Sequence, residues 1–146
     1  MLNFLEIEID GAFAPNGATI HEVVSEVCLA TTTLYRRKGF VRPWIGYLAE
    51  RDGKIIGTCG FNGPVQSGRV EIAYFTFPGN EGQGIGTLMA GHLVGIATSS
   101  TDNPVVFAYT SPERNSSTTI LGKLGFICSG RVTQTEDGKV FEWVLD

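Results

Sequence analysis

The sequence is short of cysteine, histidine, long apolar runs and positive charge. Each shortage narrows what the chain can do. Its three cysteines, Cys28, Cys59 and Cys128, lie far apart and are odd in number. That argues against a disulfide framework and fits a reduced, cytoplasmic chain with buried thiols. The two histidines, His21 and His92, have no second ligand at metal spacing, so no metal is expected. No apolar stretch approaches the roughly 20 residues that cross a bilayer, so no membrane contact is expected. The first residues also lack a basic segment followed by an apolar run, the pattern of a signal peptide. With 11 Lys and Arg against 15 Asp and Glu, the formal net charge is −4. That balance disfavours nucleic acid held through its phosphates and is compatible with an amine or cationic substrate.

What is present is an apolar content of 42% spread over 146 residues, enough for a single globular domain, 1–146, around one core. Residues 2–9 alternate through Leu5, Ile7 and Ile9 as a strand does, and 10–17 read as a Pro/Gly/Asn loop. Thr19 followed by Glu22 has capping-box spacing. It predicts a helix with Ile20, Val23, Val24, Val27 and Cys28 on one face, weakened by Thr31–Thr33 and stopping before Gly39. Arg36, Arg37 and Lys38 then read as a solvated helix end favoured by the dipole. Strands are predicted over 44–50, 54–61 and 69–77, the first two joined through Arg51-Asp52-Gly53-Lys54, making an antiparallel meander.

After a helix running to about residue 97 comes the unbroken apolar run Val105-Val106-Phe107-Ala108-Tyr109. It predicts a strand buried on both faces and parallel to the strand ending at Phe77. A helix over 116–124, closed by Gly125, leads to strands over 126–132 and 139–145 joined through Glu136-Asp137-Gly138. The fold class is α+β, with a mixed, mostly antiparallel sheet flanked by helices.

The chain is organised around residues 75–90. An apolar strand ends at Pro78, and a glycine-dense turn opens a helix whose apolar stripe includes Ile85, Leu88, Met89, Leu93 and Ile96. Gly82, Gly84 and Gly86 fall at every second position. Their spacing fits neither a dinucleotide fingerprint, since the sixth positions are Thr87 and Met89, nor a P-loop, since no lysine follows Gly86. A glycine loop entering a helix N-terminus offers backbone N–H groups and a positive dipole end, which suit a phosphate.

The stretch is similar to P-x-x-(Q/R)-x-x-G-x-(G/A), the acyl-CoA loop of the GNAT N-acetyltransferase superfamily. Pro78, Gly84 and Gly86 match, and Glu81 stands where the family carries Gln or Arg. A second block about thirty residues on, Asn115, Ser117, Leu121, Lys123, Gly125 and Phe126, resembles a further signature of that family.

The resemblance implies acetyl transfer from acetyl-CoA to a primary amine of a small molecule or a protein N-terminus. It assigns the pyrophosphate to the loop of Glu81, Gly82, Gln83, Gly84, Ile85, Gly86 and Thr87. The pantetheine would run along Phe75, Thr76 and Phe77, with Asn115 bonding its arm and Ser117 beside it. Glu71, whose side chain opposes Val70 and Ile72, lies either at a cleft, as the group that takes the amine's proton directly or through water, or on a solvated strand face. The tyrosine that many members use as general acid is Leu121 here, leaving Tyr109 or Ser117 as substitutes or as ordinary packing and capping residues. His92, on the inner stripe of the loop helix, reads as a packing residue with one hydrogen bond. Related domains are often dimers, which raises a homodimer. The alternative is a GNAT-like domain that binds acyl-CoA without turnover, the reading favoured by Glu81 and Leu121.

Overall fold

The computed structural model describes residues 2–14, 22–113, 115–135 and 138–145. In chain order these form β1 (Asn3–Glu6), α1 (Val24–Lys38), β2 (Gly46–Arg51), β3 (Lys54–Phe61) and β4 (Arg69–Thr76). Then follow α2 (Ile85–Ser99), β5 (Val105–Thr110), α3 (Ser116–Lys123), β6 (Phe126–Thr135) and β7 (Gly138–Leu145). The strands make one seven-stranded sheet in the order β1-β2-β3-β4-β5-β7-β6. Only β4 and β5 pair in parallel, because α2 carries the chain back across the sheet between them. The mixed, mostly antiparallel sheet is the one the sequence predicts.

The β2–β3 hairpin closes through Asp52 and Gly53, both at positive φ (52° and 77°). Such a two-residue turn matches the right-handed twist of its strands. The capping box at Thr19 and part of the last turn, Glu136-Asp137, lie outside the described residues. The threonines of α1 do not interrupt it. Thr31 and Thr33 donate back to the carbonyls of Val27 (2.8 Å) and Leu29 (2.9 Å), so their hydroxyls are absorbed within the helix.

The two faces of the sheet are covered unequally. α2 buries Ile85, Met89, Leu93 and Ala97, and Met89 lies against Gly57 of β3. α1 covers the opposite face at the β1–β3 end. There the Tyr35 hydroxyl donates to the Ile7 carbonyl (2.8 Å) and accepts from the Gly46 amide (2.9 Å). No described helix covers that opposite face at β5. This overturns the expectation that β5 is buried on both sides: Val106 and Ala108 are buried, while Val105 is 45% and Tyr109 38% exposed.

Between β4 and β5 the sheet opens. Pairing runs through Arg69↔Val105, Val70↔Val106 and Glu71↔Phe107, and there it stops. β4 continues to Thr76 paired only with β3, and β5 continues to Thr110 paired only with β7. The β5-facing edge of β4 past Glu71 therefore has no strand partner, and a cavity of about 110 Å³ fills the wedge.

Candidate active site

The glycine turn occupies the end of this wedge. Gly79, Gly82 and Gly84 all have positive φ (92°, 79° and 75°) and nothing lies within 4 Å of an added Cβ. Their requirement is conformational: an L side chain at Gly84, the residue before α2, would hold a left-handed backbone. Gly86 differs. It is helical, and a Cβ there would meet Ile120 of α3 at 2.7 Å, so its lack of a side chain lets α2 and α3 pack.

From residue 81 to residue 87 no backbone N–H donates to an acceptor among the described residues. Those N–H groups sit at the positive end of the α2 dipole. They open on a groove of about 510 Å³ whose other wall is α3, contributed by Ser116, Ser117, Thr119, Ile120 and Lys123. Among the described residues Lys123 is the one cation on that lining and Glu81 the one anion. The Glu81 carboxylate accepts from the Gly79 N–H at 2.8 Å, which turns its charge toward the start of the turn rather than onto the helix amides.

Of the residues expected at a cofactor, the groove brings together Phe75, Thr76, Glu81, Gly82, Gly84, Ile85, Gly86, Thr87 and Ser117. Three others lie off its lining. Phe77 is fully buried in the core and Gln83 is exposed beside the turn. Asn115 caps α3, accepting from the Thr118 N–H (3.1 Å) and donating to the Ser111 hydroxyl (2.9 Å).

Glu71 stands at the inner end of the unpaired β4 edge. It lines the wedge and also a cavity of about 260 Å³ on the α1 face, which Thr31, Leu34, Thr58, Gly60, Ala73 and Phe75 help to form. Its Oε1 accepts from the Asn62 side-chain amide at 2.8 Å. Burial pushes the Glu71 carboxyl up, and the Asn62 hydrogen bond and the charge of Lys38 pull it back in part. A carboxyl raised by burial and aimed into a cavity suits proton abstraction near neutral pH.

Several lining residues escape a reading of the sequence. Tyr74 borders the groove, the wedge and the α1-face cavity together, with its hydroxyl 3.5 Å from the Ser117 carbonyl. Burial raises its pKa, so it carries its proton. Its alternation with Ile72 along β4 marks it as inward, but nothing local marks it as a wedge residue. Asn62 lies in an Asn-Gly-Pro turn and its hold on Glu71 is visible only in three dimensions.

His92 departs from expectation. It stacks on Phe4 (3.8 Å between centroids) and meets Tyr47 edge-on, and its buried Nε2 has no hydrogen-bond partner among the described residues. Burial holds its pKa down, the neutral form a packing residue requires. Among the described residues no three His, Cys, Asp or Glu cluster as metal ligands, and no helix is long and apolar enough to cross a membrane.

A search of curated protein sequences finds no match. Among solved structures, RimL, a ribosomal L7/L12 α-N-protein acetyltransferase, aligns with a TM-score of 0.71 at 15% identity over 98% of this chain and 91% of that one. An acetyltransferase from Agrobacterium tumefaciens aligns at 0.63 with 16% identity, covering 86% and 72%. An aminoglycoside acetyltransferase solved with coenzyme A aligns at 0.59 with 20% identity, covering 68% and 64%. Likeness at such identities speaks for the fold. The acetyltransferase (GNAT) domain family matches residues 13–127, a span that takes in the glycine turn, the open wedge and Glu71, and the chain belongs to that family.

Proposed function

We propose that the protein moves an acetyl group from acetyl-CoA to a primary amine by direct attack of the amine on the thioester. The observation that carries this reading is the β4 edge past Glu71, without a strand partner inside the sheet and followed, from residue 81 to residue 87, by N–H groups with no acceptor among the described residues. Backbone groups left unpaired inside a fold need partners, and an extended amide-bearing ligand supplies them as an added strand would. The diphosphate is held by the N–H groups of residues 82–87, and the pantetheine runs along Phe75 and Thr76 between β4 and β5. Ser117 flanks it, while Asn115 supports α3 through its cap.

Each remaining step has a residue. Glu71, directly or through a water, takes the proton an ammonium must lose before it attacks. A C–N bond forms as the C–S bond breaks, and the nitrogen releases its second proton, which balances the one the sulfur gains. The departing sulfur collects a proton from the Tyr74 hydroxyl or from solvent, since the position of the family's usual tyrosine is the fully buried Leu121. Holding both reactants at the wedge supplies much of the rate.

Binding without turnover is the second reading, favoured by Leu121 and by the negative charge of Glu81 at the turn. Two measurements separate them. Calorimetry with coenzyme A is expected to give saturable heat, and thiol release from acetyl-CoA is expected with some members of a panel of amines. Saturable binding with no thiol release for any amine supports the second reading. No binding by folded protein overturns both.

A further inference from the structure

The residue that holds Glu71 also holds a cation. Asn62 donates its side-chain amide to Glu71 (2.8 Å), while its carbonyl accepts from the Lys38 ammonium (3.3 Å). Lys38 is exposed, but its stem is packed. Its stem lies along Gly63, where an added Cβ would come 2.8 Å from Lys38 Cδ. Among the described residues it forms no ion pair with a carboxylate. Arg69 by contrast is paired with Glu142 at 2.9 Å and lies over the Phe107 ring, 4.1 Å from its centroid. Lys38, Asn62, Ser67, Arg69 and Glu71 border a second, polar cavity of about 240 Å³ that meets the α1-face cavity at Asn62 and Glu71. In a chain of net charge −4, an ammonium outside any ion pair among the described residues, bordering a cavity beside the carboxylate whose pKa it lowers, is a selective feature.

We infer that the acceptor is an amine that also carries a carboxylate, an amino acid or a short acidic peptide, with its amine at Glu71 and its carboxylate at Lys38. This rests on the acetyl-transfer reading and deepens it. A plain alkylamine would fill the α1-face cavity and leave the lysine bonded to a backbone carbonyl. A carboxylated amine exchanges that neutral acceptor for a charged one, adding the attraction of an ion pair to the hydrogen bond.

The test uses matched pairs: α-amino acids against their primary amides, and dipeptides with Asp against Asn at the second residue. The carboxylated member of a pair is expected to have the higher kcat/KM, mainly through KM. Lys38→Met keeps the hydrocarbon stem against Gly63 and removes the charge, and it is expected to reduce that preference about tenfold, the scale of one charge-assisted hydrogen bond. Lys38→Glu is expected to reverse it. Arg36→Met, on the exposed side of the same helix, removes an equal charge and is expected to retain the preference. Equilibrium binding of the same pairs to protein loaded with coenzyme A reads the preference without turnover. Acetyl transfer with no carboxylate preference, or a preference indifferent to Lys38→Met, overturns the inference and leaves the acetyl-transfer reading standing. Coenzyme A binding with no transfer to any amine, and equal binding of both members of each pair, sinks the two together.

Discussion

The two faces of β4 are built in opposite ways. On the α2 face the groove takes nearly half its lining from one stretch, residues 80–87, where the N–H groups of a helix end have no acceptor among the described residues. On the α1 face the cavity draws Thr31 and Leu34 from α1, Gly46 from β2, Thr58 and Gly60 from β3, and Glu71, Ala73 and Phe75 from β4. A ligand read by backbone can be specified within one turn of chain. A ligand read by side chains needs residues that only a completed sheet brings together. Chemistry common to a whole family suits the first arrangement, and a choice of acceptor suits the second.

That contrast can be broken or sharpened by substitution. The largest effect is expected on the α1 face, where Glu71→Gln removes the proposed base. It should lower kcat by about 10²–10⁴-fold while leaving coenzyme A affinity within a factor of two or so. A parallel loss of coenzyme A binding by calorimetry would show that the two faces are not separable. Next comes Gly84→Val. Forcing a β-branched residue into positive φ costs roughly 1–2 kcal/mol in the loop conformation, so coenzyme A affinity should fall about tenfold, with Gly84→Asn milder. Equal affinities for all three proteins would remove the loop from the binding site.

Asn62→Ala acts through Glu71. Losing a hydrogen bond that favours the carboxylate leaves burial less opposed, so the folded pKa of Glu71 rises further. The acid limb of the kcat/KM profile should move to higher pH, since the base form then appears only later in a titration. A limb that stays in place would mean Glu71 is not the group titrating. The smallest effect is expected at Glu81. Glu81→Gln keeps an oxygen that can accept from the Gly79 N–H and removes a negative charge beside the proposed diphosphate site. Coenzyme A should bind about threefold tighter at low salt, and the gain should fade as ionic strength rises. Weaker binding by Glu81→Gln would mean the carboxylate supports the loop in some way beyond its hydrogen bond.

The parts of this protein that are legible in its sequence are the short-range ones. The Asp52-Gly53 turn, the strands on either side of it, the glycine turn after Pro78 and the helix that follows all depend on residues a few positions apart. Local geometry constrains them strongly. Pro78, Gly84 and Gly86 could be read together as one motif for the same reason, although Gly84 and Gly86 serve different ends, a left-handed backbone and a helix contact. Glu71 could be nominated by strand alternation, but alternation could not distinguish a cleft from a solvated face. That was decided when β4 and β5 separated beyond Glu71↔Phe107.

By itself, then, the sequence determined the order and type of the elements, the antiparallel meander and a loop shaped for an anion, because each rests on propensity, periodicity and permitted φ within a short window. Tertiary structure alone decided that β5 has an open face, that His92 packs without a partner for its buried nitrogen, that Tyr74 borders three cavities, and that Asn62 links Lys38 to Glu71. These depend on which distant segments meet. Chain connectivity leaves such meetings open until the sheet closes and burial selects one arrangement.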